Sequence, residues 1–425
     1  MRKMFSSLAI PNYRIWFIGT LTSNIGGWMA RTAQAWLVLT ILTNNSASAL
    51  GILTAITFIP NLLFSPWGGS VADRFDKRRI LLITMIAGTL TSLALGVLVI
   101  ADVCKLWMVF VIAAIDGLAM TFDNPARQAM VSEIVPISQL PNAIALNSTS
   151  FNAARLLGPG LAGVLIAIIG TGQVILFNTL AFIIMITCLL KLKKDQIRTV
   201  RLAKGSGGVI EGFKYLRRNP QIIVVLACGF ALGGLGFNFQ ISNAVVSTVM
   251  YGKGAGEFGA LGSIMGVGAL TAALLAARRA NPRLRLVLIG MAGYTVFSIG
   301  AAIKTNYLTF ALLQAPIGFF TITALVTGNT LVQTQASPAM RGRMLSLWNL
   351  TIMGVAPIVS PLIGWLGDTF GPEWTILFGV ICVGLATVII TAVVMHQDRL
   401  RLVLDRSRKF PTIRILRNPP KPSDD

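Results

Sequence analysis

The chain consists of long, continuous apolar stretches separated by short polar links. Because about 20 helical residues cross about 30 Å of hydrocarbon, stretches of this length predict membrane-spanning helices. Twelve are predicted, over 15–42, 48–69, 79–101, 105–122, 141–169, 172–190, 221–250, 258–277, 286–303, 308–334, 343–367 and 374–396. Barrel strands would alternate apolar and polar residues, which these stretches do not. We therefore expect an all-α polytopic membrane protein.

A basic segment between the sixth and seventh stretches divides the chain into two similar parts. The expected domains are an N-terminal six-helix bundle (1–190), a basic cytoplasmic linker (191–220), a C-terminal six-helix bundle (221–396) and a basic cytoplasmic tail (397–425). Helical spacing of apolar residues in the linker predicts a short amphipathic helix there, containing Val209, Ile210, Phe213 and Leu216.

Short motifs recur between the two parts. Ala154-x-x-x-Gly158-Pro159 in the fifth stretch is echoed by Ala356-x-x-x-Ser360-Pro361 in the eleventh. Parallel repeats with a binding site between them, near the middle of the membrane, are one known architecture of transporters. The repeats therefore indicate duplication and favour a transport function.

The charge distribution predicts how the chain lies in the membrane. Charged residues make up 12% of the chain, against roughly 25% in soluble domains, and the net charge is +21. With both termini placed in the cytoplasm, the outer links hold only Lys105, Lys253 and Lys304 among the basic residues. This is the positive-inside distribution, which predicts cytoplasmic termini in the inner cell membrane. Nucleic-acid binding is not expected, because the basic residues have no folded soluble platform.

The link after the second stretch carries a dense charged motif, Gly69-Ser-Val-Ala-Asp73-Arg74-Phe-Asp76-Lys77-Arg78-Arg79. It resembles the signature Gly-x-Leu-Ala-Asp-Arg-x-Gly-Arg-Arg/Lys-Arg/Lys of the major facilitator superfamily, with Asp76 in place of the second glycine. The resemblance implies two six-helix bundles that work by alternating access. It also implies that Asp73 caps the start of helix eleven and closes the cytoplasmic side, with Gly69, Arg74, Lys77 and Arg78 in the same gating motif. The alternative is that these residues act only as a topology signal.

The fifth stretch resembles the antiporter signature Gly-x-x-x-Gly-Pro-x-x-Gly-Gly, with Gly158, Pro159 and Gly163 in matching positions. Within the superfamily this pattern marks exporters more often than importers. The motifs Asn124–Met130, Pro141–Asn147 and Arg341-Gly-Arg343 resemble the subgroup of drug-efflux proteins and the enterobactin exporter. Ordinary close packing of small residues explains the fifth stretch equally well.

Asp116 is the one acid that the predicted bounds place clearly inside a membrane helix. A carboxylate in hydrocarbon must be paired, protonated or in contact with water. Asp116 is therefore a candidate proton carrier, a partner of Arg31 or Arg155, or a residue near the outer surface. Arg31 could neutralise Asp116 or bind an anionic substrate group. Arg155, where the resembled subgroup often has arginine, is expected to have a structural or coupling role.

Amide and aromatic side chains are the candidates for a substrate cavity, since apolar walls with a few polar groups suit an amphipathic ligand. The candidates are Asn24, Gln34, Asn238, Phe239, Gln314 and Phe319. Phenylalanines in membrane helices also simply pack or face lipid, which is the alternative for both aromatic candidates.

The expected function is that of a secondary transporter that exports an amphipathic small molecule in exchange for protons. Uptake of a small solute and a non-transporting sensor are the alternatives. An enzyme is not expected, because no cluster of catalytic side chains appears. No cofactor or metal is expected, since the four cysteines lack metal-ligand spacing and no phosphate-binding loop is present. The expected partners are a small-molecule substrate, protons and the lipid bilayer, and the chain is expected to be a monomer.

Overall fold

The computed structural model describes residues 5–197, 214–277, 282–303, 306–337, 340–397, 400–405 and 412–417. Its N-terminal helix set comprises α1 (Pro11–Trp36), α2 (Ala47–Arg74), α3 (Lys77–Ile100), α4 (Leu106–Ile134), α5 (Leu140–Ile169) and α6 (Thr171–Lys191). A π-helical segment, Leu37–Leu42, extends α1. Short 3₁₀ helices lie at Ser6–Ala9, Ile137–Gln139 and Lys194–Gln196.

The C-terminal helix set comprises α7 (Pro220–Gly229), α8 (Phe239–Val245), α9 (Ala255–Ala277), α10 (Leu284–Ala302), α11 (Tyr307–Gln335), α12 (Arg341–Met353), α13 (Ala356–Phe370) and α14 (Trp374–Gln397). Two π-helical segments, Phe230–Gly236 and Val246–Met250, flank α8. An antiparallel pair of strands follows, β1 (Leu400–Asp405) and β2 (Thr412–Arg417), which was not anticipated for the tail.

Eleven segments of the described chain are long and apolar enough to cross a membrane. Each of the eleven predicted stretches after the first has a single counterpart among them. The first predicted stretch is absent from this group, because α1 carries several polar residues along its length. In the predicted amphipathic linker helix, residues 214–217 are helical, and 209–213 lie outside the described residues.

Three predicted helices differ from the observed ones. Helix four was predicted to end at 122, but α4 continues to Ile134 and includes Pro125. The predicted helix over 221–250 is interrupted at Phe237 and Asn238, after the glycine-rich π segment. The predicted helix over 343–367 is interrupted at Gly354 and Val355. Glycine lowers helix propensity, which accounts for the interruptions after Gly236 and at Gly354, whereas α4 continues through Pro125 although proline removes a backbone donor.

The two helix sets repeat the same pairing pattern. In the N-terminal set, α2 packs on α4, and α3 packs on both α4 and α6. In the C-terminal set, α9 packs on α11, and α10 packs on both α11 and α14. Each position in the first pattern has its counterpart six predicted spans later, which agrees with the duplicated motifs.

Two crossings join the sets, α5 with α9 and α2 with α13. We call the end of the bundle that holds the 43–46, 101–105, 251–254 and 371–373 links the distal end. The opposite end, with the basic residues around 74–79, 191–193 and 214–218, is called the basic end. In the α5–α9 crossing, a methyl group on Gly163 would lie 2.5 Å from the Ala255 carbonyl oxygen and 2.9 Å from Gly259 Cα. Backbones this close require glycine, so the crossing is tightly packed toward the distal end.

Candidate functional site

A cavity lies between the two helix sets, and its wall is drawn from both. Its lining combines aromatic, amide and cationic side chains with small residues: Trp28, Arg31, Thr32 and Ala35 of α1, Pro159 of α5, Phe239, Gln240 and Asn243 of α8, and Phe258 and Gly262 of α9. We call it the inter-set cavity. Its walls are largely apolar and aromatic, with a few polar groups.

Arg31 is the cationic group of the inter-set cavity. Its guanidinium carbon lies 5.3 Å from the centre of the Trp28 ring, and its Nη2 is 3.4 Å from Met120 Sδ on α4. The residue is exposed, although it is on the inner face of α1. An arginine in a membrane helix is tolerated when it faces the bundle interior, and Arg31 lines the inter-set cavity.

Asp116 lies on α4 and is half-buried. Thr91 of α3 donates a hydrogen bond to Asp116 Oδ1 at 2.6 Å, and Gln34 of α1 also interacts with the carboxylate. Arg31 acts on Asp116 electrostatically, but no ion pair within 4 Å joins the two in the described chain. Side chains of α1 and α3 therefore hold the Asp116 carboxylate in place on α4.

Arg155 of α5 contacts the interruption between α7 and α8. Its guanidinium carbon lies 5.2 Å from the centre of the Phe237 ring and 5.6 Å from that of Phe239. The two rings are 4.8 Å apart, so they form one aromatic surface beneath the cation. Arg155 Nη2 is buried without a hydrogen-bond partner. Arg155 is thus a contact between the two helix sets, and it makes no ion pair with Asp116.

A second cavity lies within the C-terminal set and shares Phe239 and Asn243 with the first. Its other lining residues include Gln314, Tyr294 and Ser298. Tyr294 donates a hydrogen bond to the Gly236 carbonyl oxygen at 2.7 Å. This bond supports the backbone just before the interruption at Phe237 and Asn238. Gln314 is 3% exposed, so this predicted cavity residue is buried in the wall of the second cavity.

The remaining cavity candidates have structural contacts of their own. Asn24 donates to Ser150 Oγ on α5 at 3.3 Å. Asn238, which lies in the interruption before α8, donates to the Leu235 carbonyl oxygen at 3.2 Å. Phe319 stacks edge-on against Phe320, with ring centres 5.3 Å apart, and packs between α9 and α11. None of these three lines the inter-set cavity.

The antiporter-like residues of α5 face neighbouring helices. A methyl group on Gly158 would lie 2.5 Å from Trp28 Cβ on α1. The Pro159 carbonyl oxygen contacts Gly259 of α9, and Gly163 faces Ala255. At Gly158, α5 therefore packs on α1 of its own set. At Pro159 and Gly163 it packs on α9 of the other set.

Asp73 and Arg74 belong to the exposed part of the basic-end motif in this conformation. No hydrogen bond or ion pair joins Asp73 to another described residue. A methyl group on Gly69 would meet nothing within 4 Å, whereas one on Gly68 would lie 2.5 Å from the Thr121 carbonyl oxygen. In the described conformation, Gly68, and not Gly69, lies at a close approach of α2 to α4.

Other residues of the same motif fix α3 in place. Asp76 caps α3 and accepts a hydrogen bond from the Arg78 amide at 2.8 Å. The Arg78 guanidinium donates to the Leu190 carbonyl oxygen at 2.9 Å, near the end of α6. Lys77 is buried and forms an ion pair with Glu133 at 3.0 Å. Lys77 and Arg78 therefore link the start of α3 to α4 and α6.

A buried charge network near the basic end was missed from the sequence. Arg127 pairs with Asp123 at 2.5 Å, one helical turn away on α4, and also donates to Ser23 Oγ on α1. Thr84 of α3 donates to Asp123 at 3.1 Å. Because helix four was predicted to end at 122, Asp123, Arg127 and Glu133 were assigned to a link. The i, i+4 spacing of Asp123 and Arg127 was the available signal.

A second missed contact lies at the distal end, between α13 and the start of α2. The Asp368 carboxylate accepts hydrogen bonds from Ser46 Oγ at 3.0 Å, the Ala47 amide at 2.7 Å and the Ser48 amide at 2.9 Å. The sequence signal is the spacing Gly364-x-x-x-Asp368, which matches Gly69-x-x-x-Asp73.

No group of three or more His, Cys, Asp or Glu side chains capable of holding a metal occurs in the part of the chain that the structure describes. Cys104, Cys188, Cys228 and Cys382 are all free thiols.

Comparison with known proteins places these features in a family. The chain matches the family described as transmembrane secretion effector over residues 3–413. It is 26% identical over 396 residues to the staphyloferrin A transporter of Staphylococcus aureus, covering 90% of this chain and 96% of that protein. It is 24% identical over 403 residues to the multidrug efflux pump Tap of Mycolicibacterium fortuitum, covering 90% and 94%.

The fold is shared with solved transporters. The structure of the POT family transporter PepTSo matches with a TM-score of 0.72 at 12% identity, covering 92% of this chain and 99% of that one. Its low identity makes this a likeness of fold alone. Given the family match across nearly its whole length, the chain belongs to the transmembrane secretion effector family of major facilitator superfamily transporters.

Proposed function

We propose that this protein exports an amphipathic small molecule across the cytoplasmic membrane by alternating access, in exchange for protons. The observation that carries the proposal is the inter-set cavity, in which Arg31 and the aromatic rings of Trp28, Phe239 and Phe258 face one space between two helix sets. Apolar walls supply contact area, and a few polar groups orient a ligand.

Proton coupling is assigned to Asp116. Its carboxylate is held by Thr91 and Gln34 and senses the charge of Arg31, which lines the cavity. Protonation removes the negative charge and therefore changes the field around Arg31. This link between a titratable group and the cavity is what a proton-coupled transporter needs.

Alternating access requires two conformations that expose the cavity to opposite sides. With the basic end in the cytoplasm, the described conformation is the inward-facing one, since its tight contacts between the sets lie toward the distal end. Asp73 is free here, as a cytoplasmic gate should be when it is open. In the opposite conformation Asp73 is expected to cap the start of α12, near Arg343 to Leu345, where free backbone amides attract a carboxylate.

Export is favoured over uptake by two features. The fifth helix carries the antiporter-like Gly158-Pro159 pair, and relatives of this chain include a multidrug efflux pump. Drugs and siderophores are therefore the first substrates to test, since another relative is the staphyloferrin A transporter.

The decisive experiment measures transport in proteoliposomes with an imposed pH gradient, in both gradient directions. Candidate drugs and siderophores are offered inside and outside. Movement that follows an opposing proton gradient supports exchange, and transport that ignores the gradient eliminates proton coupling. Movement in the same direction as protons supports the uptake alternative. Liposomes without protein and a protonophore control separate leak from coupled transport.

A further inference from the structure

We propose that Asp368 is a positioning residue of the transport cycle, a distal latch that holds the outer side closed and must release for the cavity to open there. The latch consists of Asp368 on α13 and the residues Ser46, Ala47 and Ser48 at the start of α2. The inference rests on the alternating access proposed above. It adds a gate at the end opposite Asp73.

The latch joins the two helix sets by hydrogen bonds that only a carboxylate can accept in full. Asp368 Oδ1 accepts from the Ala47 amide at 2.7 Å, and Oδ2 accepts from the Ser48 amide at 2.9 Å and Ser46 Oγ at 3.0 Å. The first amides of a helix have no partner within the helix, and they carry a partial positive charge. Asp368 supplies both the missing acceptor and the opposite charge.

Ser46 ties the latch to the helix that it closes. Its hydroxyl accepts a hydrogen bond from the Ala49 amide at 3.2 Å, as an N-cap residue does, and donates to Asp368. The same serine therefore orders the first turn of α2 and contacts the other set. Separation of the sets would leave the Ala47 and Ser48 amides without an acceptor.

Close packing beside the latch makes it a switch with two states. Gly364, one turn before Asp368, contacts the Ala47 carbonyl oxygen, and Gly51 contacts the Ser360 carbonyl oxygen. Helices packed backbone to backbone cannot separate gradually without losing these contacts. The hydrogen bonds and the packing should therefore form and break together.

Asp368 and Asp73 occupy similar positions in their helices. Each acid follows a glycine by four residues and lies at the end of its helix, on α13 and α2 respectively. Asp368 is engaged in the described conformation, whereas Asp73 is exposed. The two acids are expected to be engaged in alternation, one in each conformation.

The test measures distances between spin labels by double electron–electron resonance in full-length protein, with all four cysteines replaced by alanine. One label pair, at Val103 and Ile303, reports on the distal end, and another, at Ser138 and Gln335, reports on the basic end. In Asp368→Asn, the fraction with long distal distances should rise about fivefold, the size of effect expected for a carboxylate at a helix N-terminus. The fraction with short distances at the basic end should rise with it.

Asp102→Asn is the matched control. It removes the same charge from an exposed position at the distal end, in the α3–α4 link, where no ion pair joins the Asp102 carboxylate to another described residue. The latch is overturned if the fraction with long distal distances in Asp368→Asn stays within about twofold of the wild-type fraction. It is also overturned if Asp102→Asn raises that fraction as much as Asp368→Asn does.

Ala47→Pro provides a second route to the same answer. Proline is accepted at the first position of a helix and removes the amide that donates to Asp368, while the charge is kept. It should shift the distal distances in the same direction, and it decides the question if Asp368→Asn does not fold. A wild-type protein that never opens distally, in any substrate or pH condition, would instead refute alternating access. Wild-type opening with unshifted variants refutes only the latch.

Discussion

At the scale of the residue, Asp116 shows how the N-terminal set keeps a carboxylate both accessible and constrained. Its partners come from α3 and α1, and the nearest cation, Arg31, lies on the cavity wall. A hydrogen bond from Thr91 orients the group, and no ion pair within 4 Å joins it to Arg31 in the described chain. Asp116 was recognisable from the sequence because acids are rare in membrane helices.

Replacing Asp116 with asparagine should abolish transport driven by a pH gradient, because the amide keeps the shape of the side chain but cannot carry a proton. Substrate exchange without a gradient should continue at a similar rate. Both are measured in proteoliposomes. Asp102→Asn, at the exposed α3–α4 link, serves as the control and should behave as wild type. Gradient-driven transport that survives in Asp116→Asn would show that another group carries the proton.

The ion pair of Lys77 and Glu133 leads to a prediction about stability. Both side chains are buried, so Glu133→Gln leaves the Lys77 charge unpaired and should destabilise the protein by about 3–5 kcal/mol. The double variant Lys77→Met with Glu133→Met removes both charges and should recover most of the loss. Thermal unfolding in detergent, monitored by fluorescence, measures the difference. Equal destabilisation by the single and double variants would contradict the pairing.

The sequence could not show the ion pair of Lys77 and Glu133, because the two residues are brought together only when α4 extends to Ile134. Because helix four is predicted to end at 122, Glu133 falls in the link that follows it. Lys77 is assigned separately, to the gating motif. The helix continues through Pro125, and Glu133 reaches the start of α3. The order of charges along a motif thus does not show which of them form ion pairs or hydrogen bonds with residues elsewhere in the chain.

At the scale of the element, the duplicated proline motifs lie in the two crossings that join the sets. Pro159 on α5 packs on Gly259 of α9, and Ser360, beside Pro361 on α13, packs on Gly51 of α2. The repeat was visible in the sequence, but its partners were not, since they lie on helices distant in the chain. The periodicity of apolar residues locates a helix in the sequence, but it does not show which other helices pack against it.

Substitution of Gly259 tests the α5–α9 crossing. A methyl group there would collide with the Pro159 carbonyl oxygen, so Gly259→Ala should force the crossing apart and cost about 1–3 kcal/mol. The apparent melting temperature in detergent should fall. Gly256→Ala, on the same helix, is the control because its methyl group would meet nothing within 4 Å. Equal melting temperatures for the two variants would rule out a tight crossing in solution.

At the scale of the whole molecule, the main features predicted from the sequence are confirmed: the helical membrane fold and the family. The count of twelve spans, the termini in the cytoplasm and the division at 191–220 stay predictions. Eleven described segments meet the length and apolarity of a span, and α1 joins them only by its packing on α5 and α6. Which end of the cavity is closed depends on contacts between distant helices, so no local pattern could reveal it.

The predicted orientation can be measured with a membrane-impermeant thiol reagent on intact cells. A single cysteine at Val103, in the α3–α4 link of the distal end, should react from outside. One at Ser138, between α4 and α5 at the basic end, should react only after the membrane is permeabilised. The cysteine-free protein gives the background. Labelling of Ser138→Cys in intact cells would reverse the orientation.

The cap that Asp76 places on α3 has a consequence for how members of such families are found. Glycine is the common residue at this point of the signature, but the backbone here has φ of −61° and ψ of 115°, a conformation open to any residue. Aspartate adds an acceptor for the Arg78 amide that glycine lacks. A search pattern that demands glycine would therefore discard this chain, whereas one that admits helix-capping residues would retain it and any others built in the same way.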